Sequence, residues 1–182
     1  SVKASPLTDA FAIEGIKHIN LGLVKAFNDG SNIEARSSLA YAAMLSGINL
    51  ANAGLGTVHG FASSIGGYFN IPHGMACGSL MGVCNEFTIN NLRKNSPPSP
   101  VLIKYTELGK IFSKEKDKSN DFYIDFFLDT LYSLTDLFSI KRLSDYGIQE
   151  PDFEKIVSFT ENKSNPVALS NIELEEILKL RL

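Results

Sequence analysis

GLGTVHGFASSIGGYFNIPHG, residues 54–74, contains His59 and His73, two of the three histidines in this chain of 182 residues. Along one unbroken helix, a gap of fourteen residues would place the two imidazoles about 21 Å apart, too far for one metal ion. Glycines and Pro72 interrupt helical geometry between them. The stretch therefore predicts a helix–turn–helix reversal that brings His73 back opposite His59.

The two histidines allow two interpretations. Neutral imidazole is a good ligand for Zn(II) or Fe(II), and the small and apolar neighbours in this stretch would keep a metal site partly dry. However, a packed pair of helices with one incidental histidine on each arm would show the same pattern. A catalytic zinc also takes three protein ligands, and this stretch offers two histidines. From the residues alone, both interpretations stay open.

Helical periodicity predicts an all-α multi-helix bundle of about seven to nine helices, since no alternating strand pattern occurs. Ser5 as N-cap and Pro6 in the first turn begin a first helix that ends at residues 29–30. Its apolar residues recur at the three- and four-residue steps of a helix; they are Ile13, Ile16, Ile19, Leu23, Val24 and Phe27. In the second helix, small residues at 40, 43, 47 and 51 predict a face that another helix can approach closely.

The second helix is predicted at about residues 32–52, and similar patterns predict further helices at about residues 57–66, 74–92 and 101–112. SPPSP, residues 96–100, is predicted to be a loop from its prolines. An apolar helix near 121–138 carries Phe122, Phe126, Leu131, Leu134 and Phe138, and a Ser170/Glu173 capping box begins a last helix.

The composition is that of a globular protein, with 44% hydrophobic and 20% charged residues and a formal net charge of -3. This charge favours neither nucleic acid nor an anionic membrane as a partner, and no apolar run reaches membrane-spanning length. The first residues lack a secretory signal pattern. Cys77 and Cys84 lie two helical turns apart, too far for a disulfide. We therefore expect reduced cysteines that act as small core residues in a cytoplasmic protein.

NAGLGTVHGFASSIGGYFNIPHG, residues 52–74, resembles the metal-binding signature of the iron-containing (group III) alcohol dehydrogenase family. The resemblance extends over nearly the whole chain, through SPLTDAFAIEGIKHI at 5–19, RLSDYGI at 142–148, FEKIV at 153–157 and NKSNPVALSNIELEEIL at 162–178. It implies that residues 1–182 form the all-helical metal and substrate domain, a dehydroquinate-synthase-like C-terminal domain.

The resemblance also implies roles for the two histidines, because His59 and His73 match the last two metal ligands of the family. The family's other ligands, an aspartate and a histidine four residues apart, precede the stretch matching SPLTDAF, so this chain begins too late to contain them. The NAD(P)-binding N-terminal domain is likewise expected to be absent, and the chain has no G-x-G-x-x-G motif. The implied cofactors are Fe(II) or Zn(II), and NAD or NADP held mainly by the missing domain.

Ser63 departs from the family pattern, since many members carry a histidine four residues after the ligand that matches His59. A serine hydroxyl there relays a proton or bonds a ribose hydroxyl near the nicotinamide, or it is simply a helix-packing residue. Both interpretations stay open. Phe61, Phe69 and Ile71 are expected to line the alcohol pocket.

The function implied by the resemblance is interconversion of small alcohols with aldehydes or ketones, in an intact enzyme that forms homo-oligomers. This chain alone is expected to be inactive. A relative of glycerol dehydrogenase or maleylacetate reductase is an alternative within the same class. In a different class, the phenylalanine-rich helix favours a non-catalytic helical assembly module, and metal titration of histidine variants separates these hypotheses.

Overall fold

The computed structural model describes residues 1–94 and 99–182, and within these ranges the chain is helical with no β-strand. The expectation of an all-α fold is therefore confirmed. Residues 96–98 of the predicted proline-rich loop lie outside the described ranges, while Pro100 already begins a helix. The eight α-helices of the described residues are α1 (Pro6–Asn28), α2 (Ile33–Ala53), α3 (Thr57–Gly66), α4 (His73–Arg93), α5 (Pro100–Phe112), α6 (Asn120–Leu137), α7 (Phe153–Ser158) and α8 (Asn171–Leu180); 3-10 turns span Leu143–Tyr146 and Glu150–Asp152.

Side-chain caps set the helix starts at the positions that the sequence predicts. The Ser5 hydroxyl accepts a hydrogen bond from the backbone N–H of Thr8 at 3.3 Å, directly before Pro6 at the first helical position. At α8, the Ser170 hydroxyl accepts from the Glu173 N–H, and the Glu173 carboxylate accepts from the Ser170 N–H at 2.8 Å. These local contacts satisfy backbone groups that a helix start leaves unpaired.

The main core forms where α4 packs against α3 and α8, and α7 contacts both α3 and α8. Its largest side chains have almost no exposed surface; they include Phe61, Ile65, Leu80, Ile156, Leu174 and Ile177. α4 also contacts α5 and α6, so it is the central helix of the bundle. Among the described helices, none is long and apolar enough to cross a membrane.

The apolar residues that recur along α1 are not the ones that it buries. Val24 and Phe27 are exposed, and Ile13, Ile16, Ile19 and Leu23 are only half-buried. α1 buries Gly15 and Gly22 instead, and a Cβ at Gly22 would lie 2.7 Å from the carbonyl oxygen of Ala35 on α2. Close approach of the two helix backbones therefore takes the place of large side-chain burial.

The small-residue face predicted on α2 is not the side of the helix that is buried. The predicted residues at 40, 43, 47 and 51 are exposed, whereas Ala35, Ala42, Leu45 and Ala53 are buried. α2 carries small residues on most of its circumference, so composition did not identify which side α1 contacts.

The phenylalanine-rich helix α6 contributes to a second, smaller core against α5. A Cβ at Gly109 on α5 would lie 1.9 Å from the Tyr123 carbonyl oxygen, so the two helices touch through backbone. Of the five apolar residues that mark this helix in the sequence, Leu131 is buried and the others are half-buried. The fully buried residues of α6 are Tyr123, Ile124, Phe127, Leu128, Leu131 and Thr135.

Candidate metal centre

The reversal between α3 and α4 brings the two histidines together. His59 is the third residue of α3 and His73 the first of α4. Between them, the N–H of Phe69 donates to the carbonyl of Ile65 at 2.9 Å, which closes the end of α3. The imidazole ring centroids of His59 and His73 are 5.4 Å apart. The predicted juxtaposition is therefore confirmed, while their role as metal ligands stays a prediction.

Cys77 joins the histidine pair. It lies one turn after His73 on α4, and its Sγ is 3.4 Å from His73 Nε2. One ligand atom from each of Cys77, His59 and His73 lies within 4.8 Å of the others. Sequence analysis predicted a buried, reduced cysteine, and Cys77 is both buried and free. It missed the spacing His73-x-x-x-Cys77, which places the two side chains on one helix face.

Electrostatics around His59 favour its neutral form. Burial lowers the pKa of His59, and the nearby His73 and Lys163 lower it further. A neutral imidazole has a free nitrogen lone pair, whereas a protonated one has none to offer a metal. The site therefore presents His59 in the state that metal binding requires.

The segment 160–165 packs directly on α3 and frames the outer edge of the site. A Cβ at Gly60 would lie 1.9 Å from the carbonyl oxygen of Glu161, so only glycine fits beside His59. The Thr57 hydroxyl donates to Asn162 Oδ1 at 3.1 Å, and the hydroxyls of Ser64 and Thr160 are 2.8 Å apart. These contacts hold the segment against the first turns of α3.

Ser63 lies at this edge, on the exposed side of α3. Its hydroxyl donates to the His59 carbonyl at 2.7 Å and accepts from Lys163 Nζ at 3.3 Å. Ser63 is therefore not a buried packing residue, and its role near a nicotinamide stays a prediction. Sequence analysis missed Lys163, which has a positive φ of 50° and which no motif marks.

The three predicted pocket residues lie in or against the core. Phe61 has no exposed surface because its ring is part of that core, and its role in an alcohol pocket stays a prediction. Ile71 is also buried in that core, and Phe69 packs against it. The described cavity next to His59 has a volume of about 230 Å³ and is lined by other residues, among them Cys77, Met81, Cys84, Asn85 and Asn165.

The donor set fits a transition-metal ion. Imidazole nitrogen and thiolate sulfur are ligands that Zn(II) and Fe(II) accept readily, whereas Mg(II) and Ca(II) prefer oxygen. The site is partly open to solvent, because His73 is exposed while Cys77 is buried. The residues present therefore fit the kind of metal that the sequence resemblance implies.

Comparison with known proteins places this chain in a family. The model of the Fe-containing alcohol dehydrogenase family, C-terminal, matches residues 1–182. Alcohol dehydrogenase 4 of Saccharomyces cerevisiae is 30% identical over 187 residues, covering 98% of this chain and 45% of that protein. The 1,3-propanediol dehydrogenase of Citrobacter freundii is 30% identical over 185 residues, covering 98% of this chain and 46% of that protein.

A solved structure shows the same fold. The crystal structure of a 1,3-propanediol oxidoreductase superposes with a TM-score of 0.88 at 27% identity, covering 99% of this chain and 46% of that chain. The chain thus spans a little under half the length of the relatives that it matches. The chain belongs to the Fe-containing alcohol dehydrogenase family and corresponds to its C-terminal, helical part.

Proposed function

We propose that this chain is the metal-binding part of an NAD(P)-linked, metal-dependent alcohol dehydrogenase that interconverts small alcohols with aldehydes or ketones. The observation that carries the proposal is the approach of His59 and His73 to 5.4 Å between ring centroids, across a turn that belongs to the matched family region. Relatives named as alcohol, 1,3-propanediol and butanol dehydrogenases support the substrate class.

His59 and His73 are the residues that would hold Zn(II) or Fe(II). Such a cation would polarise the oxygen of an alcohol or carbonyl, which is the chemistry that hydride exchange with a nicotinamide requires. The chain contributes the fixed positions of the two imidazoles, because His59 lies in a helix held by the core and His73 begins the helix packed against it. The lowered pKa of His59 keeps that imidazole neutral and available near pH 7.

Ser63 and Lys163 form a polar edge beside this pair. The Lys163 ammonium donates to the Ser63 hydroxyl, which itself donates to the His59 carbonyl. We propose that this hydroxyl, already oriented by two hydrogen bonds, accepts or passes a proton near the nicotinamide ribose. Since the chain spans 45–46% of its relatives, we assign most of the NAD or NADP contacts to residues beyond these 182. The chain alone is then inactive.

Metal titration of the chain tests the histidine site. Zn(II) affinity is measured for the unaltered chain, for His59→Ala and His73→Ala, and for His18→Gln, a matched control since His18 is the third histidine and lies on α1. We expect each site variant to lose at least about tenfold in affinity, and the control to keep it. Unchanged affinity in both site variants would contradict the proposal.

Activity is tested by joining the chain to the portion of the Citrobacter freundii 1,3-propanediol dehydrogenase that precedes its matched region. We expect NAD(P)-linked oxidation of 1,3-propanediol or ethanol by the joined protein and none by the chain alone. His59→Ala in the joined protein should abolish turnover, while His18→Gln should not. Turnover that survives both His59→Ala and His73→Ala would rule out the proposed chemistry.

A further inference from the structure

We infer that Lys163 determines substrate specificity, because its ammonium group is placed to bind the carboxylate of an alcohol or aldehyde substrate that carries one. This assignment rests on the proposed function for the histidine pair. It narrows the substrate class from small alcohols in general to short hydroxy acids and their semialdehydes. The carboxylate is bound by the lysine and takes no part in the redox step.

The Lys163 ammonium has no carboxylate partner within the described ranges of the chain. The ion pairs found there all join other groups. Its hydrogen-bonding contact in the same ranges is with the Ser63 hydroxyl, at 3.3 Å. An ammonium group carries three N–H donors, so two are left for a ligand. Lys163 can therefore keep its contact with Ser63 while it donates to a carboxylate.

The backbone on both sides of Lys163 is held against the rest of the fold. The N–H of Ser164 donates to the carbonyl of Leu55 at 2.8 Å. The side-chain amide of Asn162 donates to the Leu169 carbonyl at 2.9 Å and accepts from the Leu169 N–H at 2.9 Å. Lys163 itself has a φ of 50°, a left-handed conformation that glycine adopts at lower cost. The ammonium group is thus presented from a fixed segment, at a position where a side chain is retained despite strain.

Ser63 connects the lysine to the histidine pair. It lies one helical turn after His59 on α3, and side chains with this spacing have Cβ atoms about 5–6 Å apart. The Ser63 hydroxyl donates to the His59 carbonyl at 2.7 Å and lies 3.3 Å from Lys163 Nζ. A carboxylate bound at Lys163 and a hydroxyl at the histidine pair would therefore be separated by the length of a short carbon chain.

This short separation favours a substrate carboxylate over a cofactor phosphate. In a nicotinamide dinucleotide, a whole ribose separates the diphosphate from the nicotinamide ring. In a short hydroxy acid, only a few carbons separate the carboxylate from the carbinol carbon. Charge-assisted hydrogen bonds are roughly twice as strong as neutral ones, so the lysine should discriminate between substrates by their charge.

Kinetics of the joined protein described above measure this discrimination. The values of kcat/KM are compared for 4-hydroxybutanoate and 1-butanol, because their ratio removes any effect of a substitution that is common to both alcohols. We expect a preference for 4-hydroxybutanoate that Lys163→Gln lowers at least about tenfold, mainly through KM, and that Lys163→Arg retains. Lys155→Gln is the matched control and should keep the preference, since Lys155 is exposed on the neighbouring helix α7 with its ammonium over the Tyr68 ring.

The possible outcomes separate this assignment from the proposed function. An unchanged preference in Lys163→Gln, with turnover of both alcohols, would overturn the role of Lys163 and leave the proposed function standing. A change confined to the KM for NAD(P) would place the bound anion on the cofactor and would also overturn the assignment. Absence of turnover with every alcohol would overturn the proposed function, and the role of Lys163 is then decided by a binding measurement.

Nuclear magnetic resonance titration of the 182-residue chain is that measurement, and it needs no turnover. We expect 4-hydroxybutanoate to shift the signals of Lys163 and Ser63 in a saturable way, and 1-butanol to leave them in place. The response of Ser63 should be lost in Lys163→Gln and kept in Lys155→Gln. Equal responses to the two alcohols, or a response to 4-hydroxybutanoate that Lys163→Gln leaves unchanged, would contradict the assignment.

Discussion

Two regions of this molecule pack through buried residues of different size. The site region, which we define as α3, α4, α7 and α8, buries large side chains such as Ile65, Leu80 and Ile177 completely. The hairpin, which we define as α1 and α2, buries mainly glycine and alanine and leaves large side chains exposed. Its exposed apolar residues include Leu7, Leu21, Phe27, Ile33, Met44 and Leu50.

This difference in buried side-chain size indicates that the site region is held more firmly than the hairpin. Complete burial of one large aliphatic side chain stabilises a fold by about 1.5–3 kcal/mol, and the site region contains many of them. The histidine pair lies on two helices of this region, so its geometry is maintained by helices that pack in the main core of the fold. The hairpin gains less from this source and relies on close backbone contact between its two helices.

The largest expected effect comes from the same substitution made in both regions. Ile65→Ala, at a side chain with no exposure in α3, should destabilise the chain by about 4 kcal/mol, because it removes buried surface and leaves a cavity. Ile33→Ala, at a residue 73% exposed in α2, should change stability by less than about 0.5 kcal/mol. Urea unfolding measures the stability of both variants. Equal losses of stability would contradict the difference that we draw between the two regions.

Close backbone contact provides the second test. Gly60→Ala in the site region should cost about 3 kcal/mol, since the new Cβ would lie 1.9 Å from the Glu161 carbonyl oxygen and the segment 160–165 must move. Gly22→Ala in the hairpin, where the nearest atom would be at 2.7 Å, should cost about 1–2 kcal/mol. Thermal or urea unfolding shows which of the two variants loses more stability. A larger loss of stability for Gly22→Ala than for Gly60→Ala would contradict our comparison.

A glycine without a close neighbour should behave in the opposite way. A Cβ at Gly47, inside α2, would meet nothing within 4 Å. Gly47→Ala should therefore stabilise the chain by about 0.5–1 kcal/mol, because alanine loses less backbone entropy in a helix. A destabilised Gly47→Ala variant, measured in the same urea series, would show that the exposed side of α2 has a contact after all.

The smallest expected effect is a pH dependence confined to the site region. The pKa of His59 in the folded chain is below 6.5, the ordinary histidine value, so the unfolded chain binds more protons at this residue in acid. In metal-free protein, the free energy of unfolding should therefore fall as the pH drops below 6.5 and level off below the folded pKa. Lys163→Gln removes one charge that lowers this pKa and should reduce the slope.

This prediction has a direct readout. Nuclear magnetic resonance of the imidazole protons gives the pKa of His59 with chelator present, in the unaltered chain and in Lys163→Gln. The substitution keeps a long polar side chain at a residue with positive φ, so it isolates the charge. A pKa that stays where it was in Lys163→Gln would show that burial and His73 alone account for the lowered value.

Helix starts and the histidine reversal were predictable because their causes are local. Ser5 and Ser170 cap their helices through residues three positions away, and the glycines with Pro72 interrupt the helix between His59 and His73. Each of these interactions involves neighbours in the chain. Resemblance to a family then indicated what the two histidines are for, which neither spacing nor composition establishes.

Packing faces were not predictable in the same way. Helices α1, α2 and α6 carry apolar or small residues on several sides, so periodicity left more than one side able to face the interior. Which side is buried depends on the partner helix, and the small-residue face predicted on α2 is not the side that is buried. The complete burial of Phe61 in the core is likewise a property of the assembled bundle.

By itself, the sequence determined an all-helical chain, the ends of most of its helices and the turn that returns His73 toward His59, because hydrogen bonds and backbone limits act over a few residues. Only the tertiary structure decided that Lys163 lies beside Ser63. This contact joins residues 100 positions apart in the chain. Such a contact depends on how whole helices and the connecting segments pack, and no local pattern records it.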